Sequence, residues 1–234
     1  MVKEKMTTDM GRKYLLLIML FIAPVLLVSG QSGAFGTVKG NAMELYNTGR
    51  NLESQGRMQE AESYYGQAVK ICTDDISSEN AGRDTYAALT WTLLRQQKYN
   101  ELIAWGERSL RVYNDEYRVV ETMGEAYFYL NEYENSLKFM QRYVSSLPRG
   151  DRVSVAYFFI GEIYRLEQKY HLADMAYSTA VRLQPGIALW WYRLGLVREN
   201  AGESAPAADA YEQAVKLTPD YQAAADGLKR VKPR

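Results

Sequence analysis

The feature that most limits what this chain can become is self-similarity: one pattern of small and aromatic residues returns at a spacing of 34 residues. The clearest copy is Trp191-Tyr192-Arg193-Leu194-Gly195, followed by Ala207, Tyr211, Ala214 and Pro219. One period earlier stand Tyr157, Ile160, Gly161 and Tyr164, then Ala173, Tyr177, Ala180 and Pro185. Before that, Val120, Met123, Gly124 and Tyr127 take the same places, with Ser136, Met140, Tyr143 and Pro148, and a step of 37 leaves three extra residues near Gly150 to Arg152. A degenerate copy has Tyr86, Leu89, Thr90 and Leu93, then Leu102, Gly106 and Ser109. The first copy has Leu45, Thr48, Gly49 and Leu52, then Ala61, Tyr65 and Ala68. A seven-residue insertion, Ile76 to Gly82, parts the first copy from the second, as a longer loop or helix end.

Each unit contains two apolar-periodic stretches joined by a polar turn, such as Ser54-Gln55-Gly56, Asn131-Glu132 or Ala201-Gly202-Glu203, which predicts a pair of antiparallel helices. Gly124, Gly161 and Gly195 on the first helix, and Ala68, Ala180 and Ala214 on the second, allow the two axes to approach closely. Pro148, Pro185 and Pro219 stop the second helix, because proline offers no N–H to continue it. Such a hairpin cannot bury its own apolar face, so it is stabilised by stacking on its neighbours. Tyr221 to Val231 places Tyr221, Ala224, Ala225, Leu228 and Val231 on one face and reads as a capping helix, with Lys229, Arg230 and Lys232 complementing the dipole at its end.

These residues resemble the tetratricopeptide repeat family, whose pattern is Trp-x2-Leu-Gly-x2-Tyr, then Ala, an aromatic and Pro; the resemblance covers about residues 42 to 220. Thr90 in place of the glycine and Gly106 in place of the aromatic are the departures. Membership implies an all-α, right-handed α-solenoid of about five helical hairpins with a C-terminal capping helix and a concave groove. The expected units are residues 42–75, 83–116 (degenerate), 117–150, 154–187 and 188–221, with the insertion at 76–82 and the cap and tail at 222–234.

The useful surface of a hairpin stack is the trough lined by the first helices. The resemblance places Tyr46 and Arg50 there, then Trp91, Leu94 and Arg95, then Arg118, Glu121, Glu125 and Phe128, then Phe158, Glu162 and Arg165, and finally Tyr192, Leu196 and Glu199. The rings Trp91, Phe128, Phe158 and Tyr192 are expected to anchor apolar side chains of a partner, and the arginines to grip carboxylates through paired hydrogen bonds. A protein partner, presenting a peptide or a helix, fits this mixture better than a sugar or nucleotide. The members of the family that bind chaperone tails hold a terminal carboxylate with Lys and Asn; the matching places here carry Tyr46, Arg50, Ala88, Arg118 and Thr122, of which Arg118 alone keeps a suitable charge.

Catalysis is not expected. Glu121 and Glu125 lie one helical turn apart with Glu162 on the next unit, but they read as charge balance against Arg118 and Arg165 along a solvated groove. No nucleophile triad is recognisable, and Gly33, Gly36 and Gly40 form no phosphate loop. The single cysteine, Cys72, and single histidine, His171, rule out a disulfide framework and a Cys/His metal cluster, so no cofactor is expected. Removing residues 1–30 takes four basic and two acidic side chains from 28 of each, leaving 24 against 26, which gives no electrostatic reason for a nucleic-acid partner.

Lys3, Lys5, Arg12 and Lys13 precede an uncharged run from Tyr14 to Val28, the layout of an export signal. At 15 residues the run is shorter than the ~20 that cross a bilayer core. Extended through neutral residues to Gly36 it reaches 23 and reads as a retained anchor instead. Either way, residues 1–30 are expected to be an address followed by a linker at 31–41, with contact to the membrane confined to this segment. The remainder is then expected outside the cytoplasmic membrane, as a non-catalytic adaptor in the periplasm or cell envelope. The competing reading is a solute-binding or transporter-associated component holding a small ligand inside the superhelix.

Overall fold

The computed structural model describes residues 42–232. The expected signal or anchor at 1–30 and the linker at 31–41 lie outside the described residues. Within them the chain forms eleven helices and no strand: α1 (Ala42–Ser54), α2 (Met58–Ser77), α3 (Arg83–Arg95), α4 (Tyr99–Val112), α5 (Tyr117–Tyr129), α6 (Tyr133–Ser146), α7 (Val153–Leu166), α8 (Tyr170–Leu183), α9 (Ala188–Asn200), α10 (Ser204–Leu217) and α11 (Gln222–Val231). Consecutive pairs from α1 to α10 make five hairpins, and α11 closes the stack as the α-solenoid requires. No helix among the described residues is long and apolar enough to cross a membrane.

Every hairpin turn is built alike. The residue two places beyond each first helix adopts a left-handed backbone: Gly56 (φ 76°), Gln97 (57°), Asn131 (62°), Gln168 (59°) and Gly202 (82°). Its N–H and the next one reach back into the helix they leave, as with Gln168 to the Arg165 carbonyl and Lys169 to the Tyr164 carbonyl. This paired return satisfies carbonyls that the helix end would leave bare. Glycine adopts this backbone freely, whereas Gln97, Asn131 and Gln168 hold it against steric cost.

Within hairpins, packing is a glycine facing a large side chain. A Cβ on Gly161 would lie 2.7 Å from the Tyr177 ring, and one on Gly195 would lie 2.6 Å from Tyr211. In the first hairpin Gly49 faces Tyr65, and in the third Gly124 faces Met140. The degenerate second hairpin inverts the arrangement. Gly106 stands where its neighbours carry the large residue, and Met123 of α5 fills the space, its sulfur 2.5 Å from where a Gly106 Cβ would sit.

The two insertions have different fates. Helix α2 runs on through Ser77, absorbing the start of the 76–82 segment, and Ile76 is buried there. The three extra residues near Gly150 form a tight turn in which the Gly150 N–H donates to the Leu147 carbonyl and the Arg152 N–H reaches the Tyr143 hydroxyl at 3.3 Å. That turn carries Arg152 back over α5, which matters for the groove.

Candidate interaction groove

The first helices α1, α3, α5, α7 and α9 supply the groove residues, and the structure sorts these by exposure. Arg50 is exposed, with its guanidinium 5.7 Å from the centre of the Tyr46 ring. Tyr46 is itself 8% exposed and packs beside Trp91, centroid to centroid 5.9 Å. Trp91, Leu94, Arg95, Arg118, Arg165, Tyr192, Leu196 and Glu199 are half-buried, each with an edge free.

Two expected anchors are not available. Phe128 and Phe158 are 5% and 1% exposed and belong to the core between repeats. Phe128 meets Phe159 edge-on at 5.1 Å, and Phe158 stacks on Trp190 at 5.3 Å with the planes 16° apart. Adjacent first helices pack so closely here that a ring directed into the groove is covered by the next repeat. Burial of a ring this size contributes about 1.5–3 kcal/mol to the stack, so these rings hold the fold together.

Three groove carboxylates are buried as well. Glu121, Glu125 and Glu162 are 1%, 4% and 2% exposed, not solvated. Arg118 does not balance Glu121 or Glu125; it spans Asp84 and Glu116, 2.7 Å from each. Arg152, delivered by the three-residue insertion, takes both glutamates instead: its Nε lies 2.8 Å from Glu121, and its Nη2 meets Glu125. One guanidinium between two buried carboxylates leaves a surplus negative charge, and burial together with the neighbouring Glu125 pushes the Glu121 pKa well up.

A polar clasp recurs across repeats that the groove positions alone did not reveal. Tyr65, Tyr177 and Tyr211 of the second helices donate their hydroxyls to Glu53, Glu162 and Glu199 of the first, at 2.7, 2.5 and 2.5 Å. Each glutamate is then met by an arginine from the following repeat or cap: Arg95 Nε at 2.9 Å from Glu53, Arg193 Nε at 2.8 Å from Glu162, and Arg230 Nε at 2.7 Å from Glu199. The sequence does hold a signal for this. Glu162 precedes Arg193, and Glu199 precedes Arg230, by 31 residues, one helical turn short of the 34-residue period. Phe128 and Phe159 share that spacing and also touch.

Cys72 is wholly buried, and burial pushes its thiol up to about 12, so it packs as a small apolar group. His171 is exposed, 3.7 Å from Glu203. An open depression of about 440 Å³ between α8 and α9, lined by Val181, Pro185, Trp191, Leu194 and neighbouring polar groups, shares no lining residue with the groove positions.

Stacked helical hairpins with a groove along their first helices define a class, the α-solenoid binding scaffold. Two family models described as tetratricopeptide repeat match residues 156–222 and 45–75. This chain is a tetratricopeptide-repeat protein. Comparison with curated proteins finds no sequence match. Among solved structures, MamA 41-end from Desulfovibrio magneticus RS-1 is similar, with 14% identity over 79% of this chain and 99% of that one and a TM-score of 0.61. A MamA RS-1 ArsTM double mutant matches with 15% identity over 78% and 97% and the same TM-score, 0.61. YrrB, described as a TPR protein with an unusual peptide-binding site, shares 19% identity over 80% of this chain and 92% of its own, with a TM-score of 0.54. At these identities the likeness speaks for the fold.

Proposed function

We propose that this protein acts by binding a peptide or helix of a protein partner in the groove of α1, α3, α5, α7 and α9, without chemistry of its own. The observation that carries the reading is the row of half-buried groove side chains, Trp91 and Leu94, Tyr192 and Leu196, each with its body packed and one edge free. A ring held on one side and free on the other binds at low cost in side-chain entropy, the usual character of an interface anchor. The peptide-binding site named for YrrB supports the same mode. The basic start and apolar run of residues 3–28 support a place in the cell envelope, reached by export with cleavage or anchoring.

The test is co-purification of partners with the full chain. Trp91→Ala and Leu196→Ala together are expected to lower recovery of the partner at least tenfold, whereas Met175→Ala on the opposite face, 67% exposed, leaves recovery unchanged. Equal loss from both changes would rule out the groove.

A further inference from the structure

We propose that Arg165 and Arg193 form an anion subsite in the groove at the seam of the fourth and fifth repeats, built to take a carboxylate from an acidic segment of a polypeptide partner. The proposal rests on the groove reading above and adds the chemistry of what enters it.

The three clasps differ in charge. In the first and last, one glutamate meets one tyrosine hydroxyl and one arginine, so charge is matched: Glu53 with Tyr65 and Arg95, Glu199 with Tyr211 and Arg230. The middle clasp has the same tyrosine, Tyr177, and the same following-repeat arginine, Arg193, and then a further arginine. Arg165 Nη2 donates to Glu162 Oε2 at 2.7 Å. Two guanidiniums therefore face one carboxylate, and no other acidic side chain among the described residues pairs with either. Glu162 is held ionised against its burial by these two cations, its pKa lowered, so the site keeps one positive charge beyond neutrality.

The hydrogen-bond count agrees with the charge count. A guanidinium presents several N–H donors in a planar fork that matches a carboxylate. Among the described residues the pair makes a single hydrogen bond, that of Arg165 to Glu162. Arg193 adds an ion pair, its Nε 2.8 Å from Glu162 Oε1, and the Nε of Arg165 is buried without a hydrogen-bond partner. An entering oxyanion would bind at the edges of the two guanidinium forks that remain accessible, where N–H donors of a charged group gain from a charged acceptor. Both side chains keep an accessible edge, 21% for Arg165 and 11% for Arg193, and Tyr192 lies against Arg193 at 5.8 Å from its ring centre.

The probe is a fluorescein-labelled oligo-glutamate peptide titrated into the full chain at low salt, with an oligo-lysine peptide of equal length as control. Arg165→Gln converts the middle clasp into the matched form of the other two, so the fold should persist and affinity should fall about tenfold. Glu162→Gln removes the competing carboxylate and should tighten binding, a direction that damage to the fold would not give. No preference for oligo-glutamate over oligo-lysine, or equal affinity of wild type and Arg165→Gln, overturns the subsite. A photoreactive group at Leu196 separates the two readings. Capture of the peptide there with no effect of Arg165→Gln sinks the subsite and spares the groove, whereas capture at Met175 and not at Leu196 sinks both.

Discussion

Tyr177 shows how one hydroxyl ties together the two helices of a repeat. Its hydroxyl is wholly buried and donates to a carboxylate that two arginines also grip, so Tyr177→Phe leaves a buried, charged oxygen short of a donor. The expected cost is about 1.5–3 kcal/mol in urea unfolding, the range for a hydrogen bond to a charged group. Burial and Glu162 raise the pKa of the Tyr177 hydroxyl well above its ordinary value, so it remains a donor throughout the neutral range. Glu121 gives the opposite kind of prediction. Its carboxyl is pushed well up, so the fold prefers it protonated. That contribution is present below the ordinary carboxylate value of 4.5 and is lost as pH rises through the folded-state value. Glu121→Gln, which fixes the neutral form and leaves Arg152 to Glu125, should raise the urea midpoint at pH 7 and lose its advantage towards pH 4. A mutant with an unchanged or lower midpoint at pH 7 contradicts a buried charge surplus. Glu162 has the reverse sign: its lowered pKa contributes stability above 4.5 that is lost under acid.

At the level of helices and turns, the left-handed residue that closes each hairpin is the weak point where it is not glycine. Gln168→Gly should stabilise by about 0.5–1 kcal/mol, because relief of the left-handed backbone outweighs the entropy that glycine adds to the unfolded chain. Gly195→Ala should destabilise by about 1–3 kcal/mol, since the new Cβ meets the buried Tyr211 ring and the helices must part. Both are read in thermal unfolding. Helix existence, hairpin turns and the close-packing glycines were legible in the sequence because each leaves a periodic mark: 3.6 residues along a helix and 34 between repeats. Gly106 was legible as a departure, but its compensation by Met123 was not, since the large side chain is supplied by the next repeat. Arg152 was missed for a related reason. It lies in an insertion, outside any repeat position, and pattern comparison assigns such residues no place.

For the molecule as a whole, the resemblance assigned positions to a groove, but nothing in the sequence told how tightly the stack winds. Winding decides exposure: the same groove position holds half-buried Leu94 in the second repeat and core-buried Phe128 in the third. It is set by contacts between residues about 31 apart, such as Phe128 with Phe159, a spacing set by neither the helix nor the repeat period alone. Helices α5 and α7 are covered along most of their length, whereas α1 and α11 cover the ends of the stack, so native-state hydrogen exchange should protect α5 and α7 most and α1 and α11 least. Uniform protection would mean that the five hairpins unfold as one unit.

If the proposed groove is used, a partner lies along the first helices. Photo-crosslinking of the full chain in its native cells, with probes at Trp91, Leu196 and Met175, decides it. One protein should be captured from both Trp91 and Leu196 and none from Met175. Capture from Met175 with both groove positions silent would contradict it.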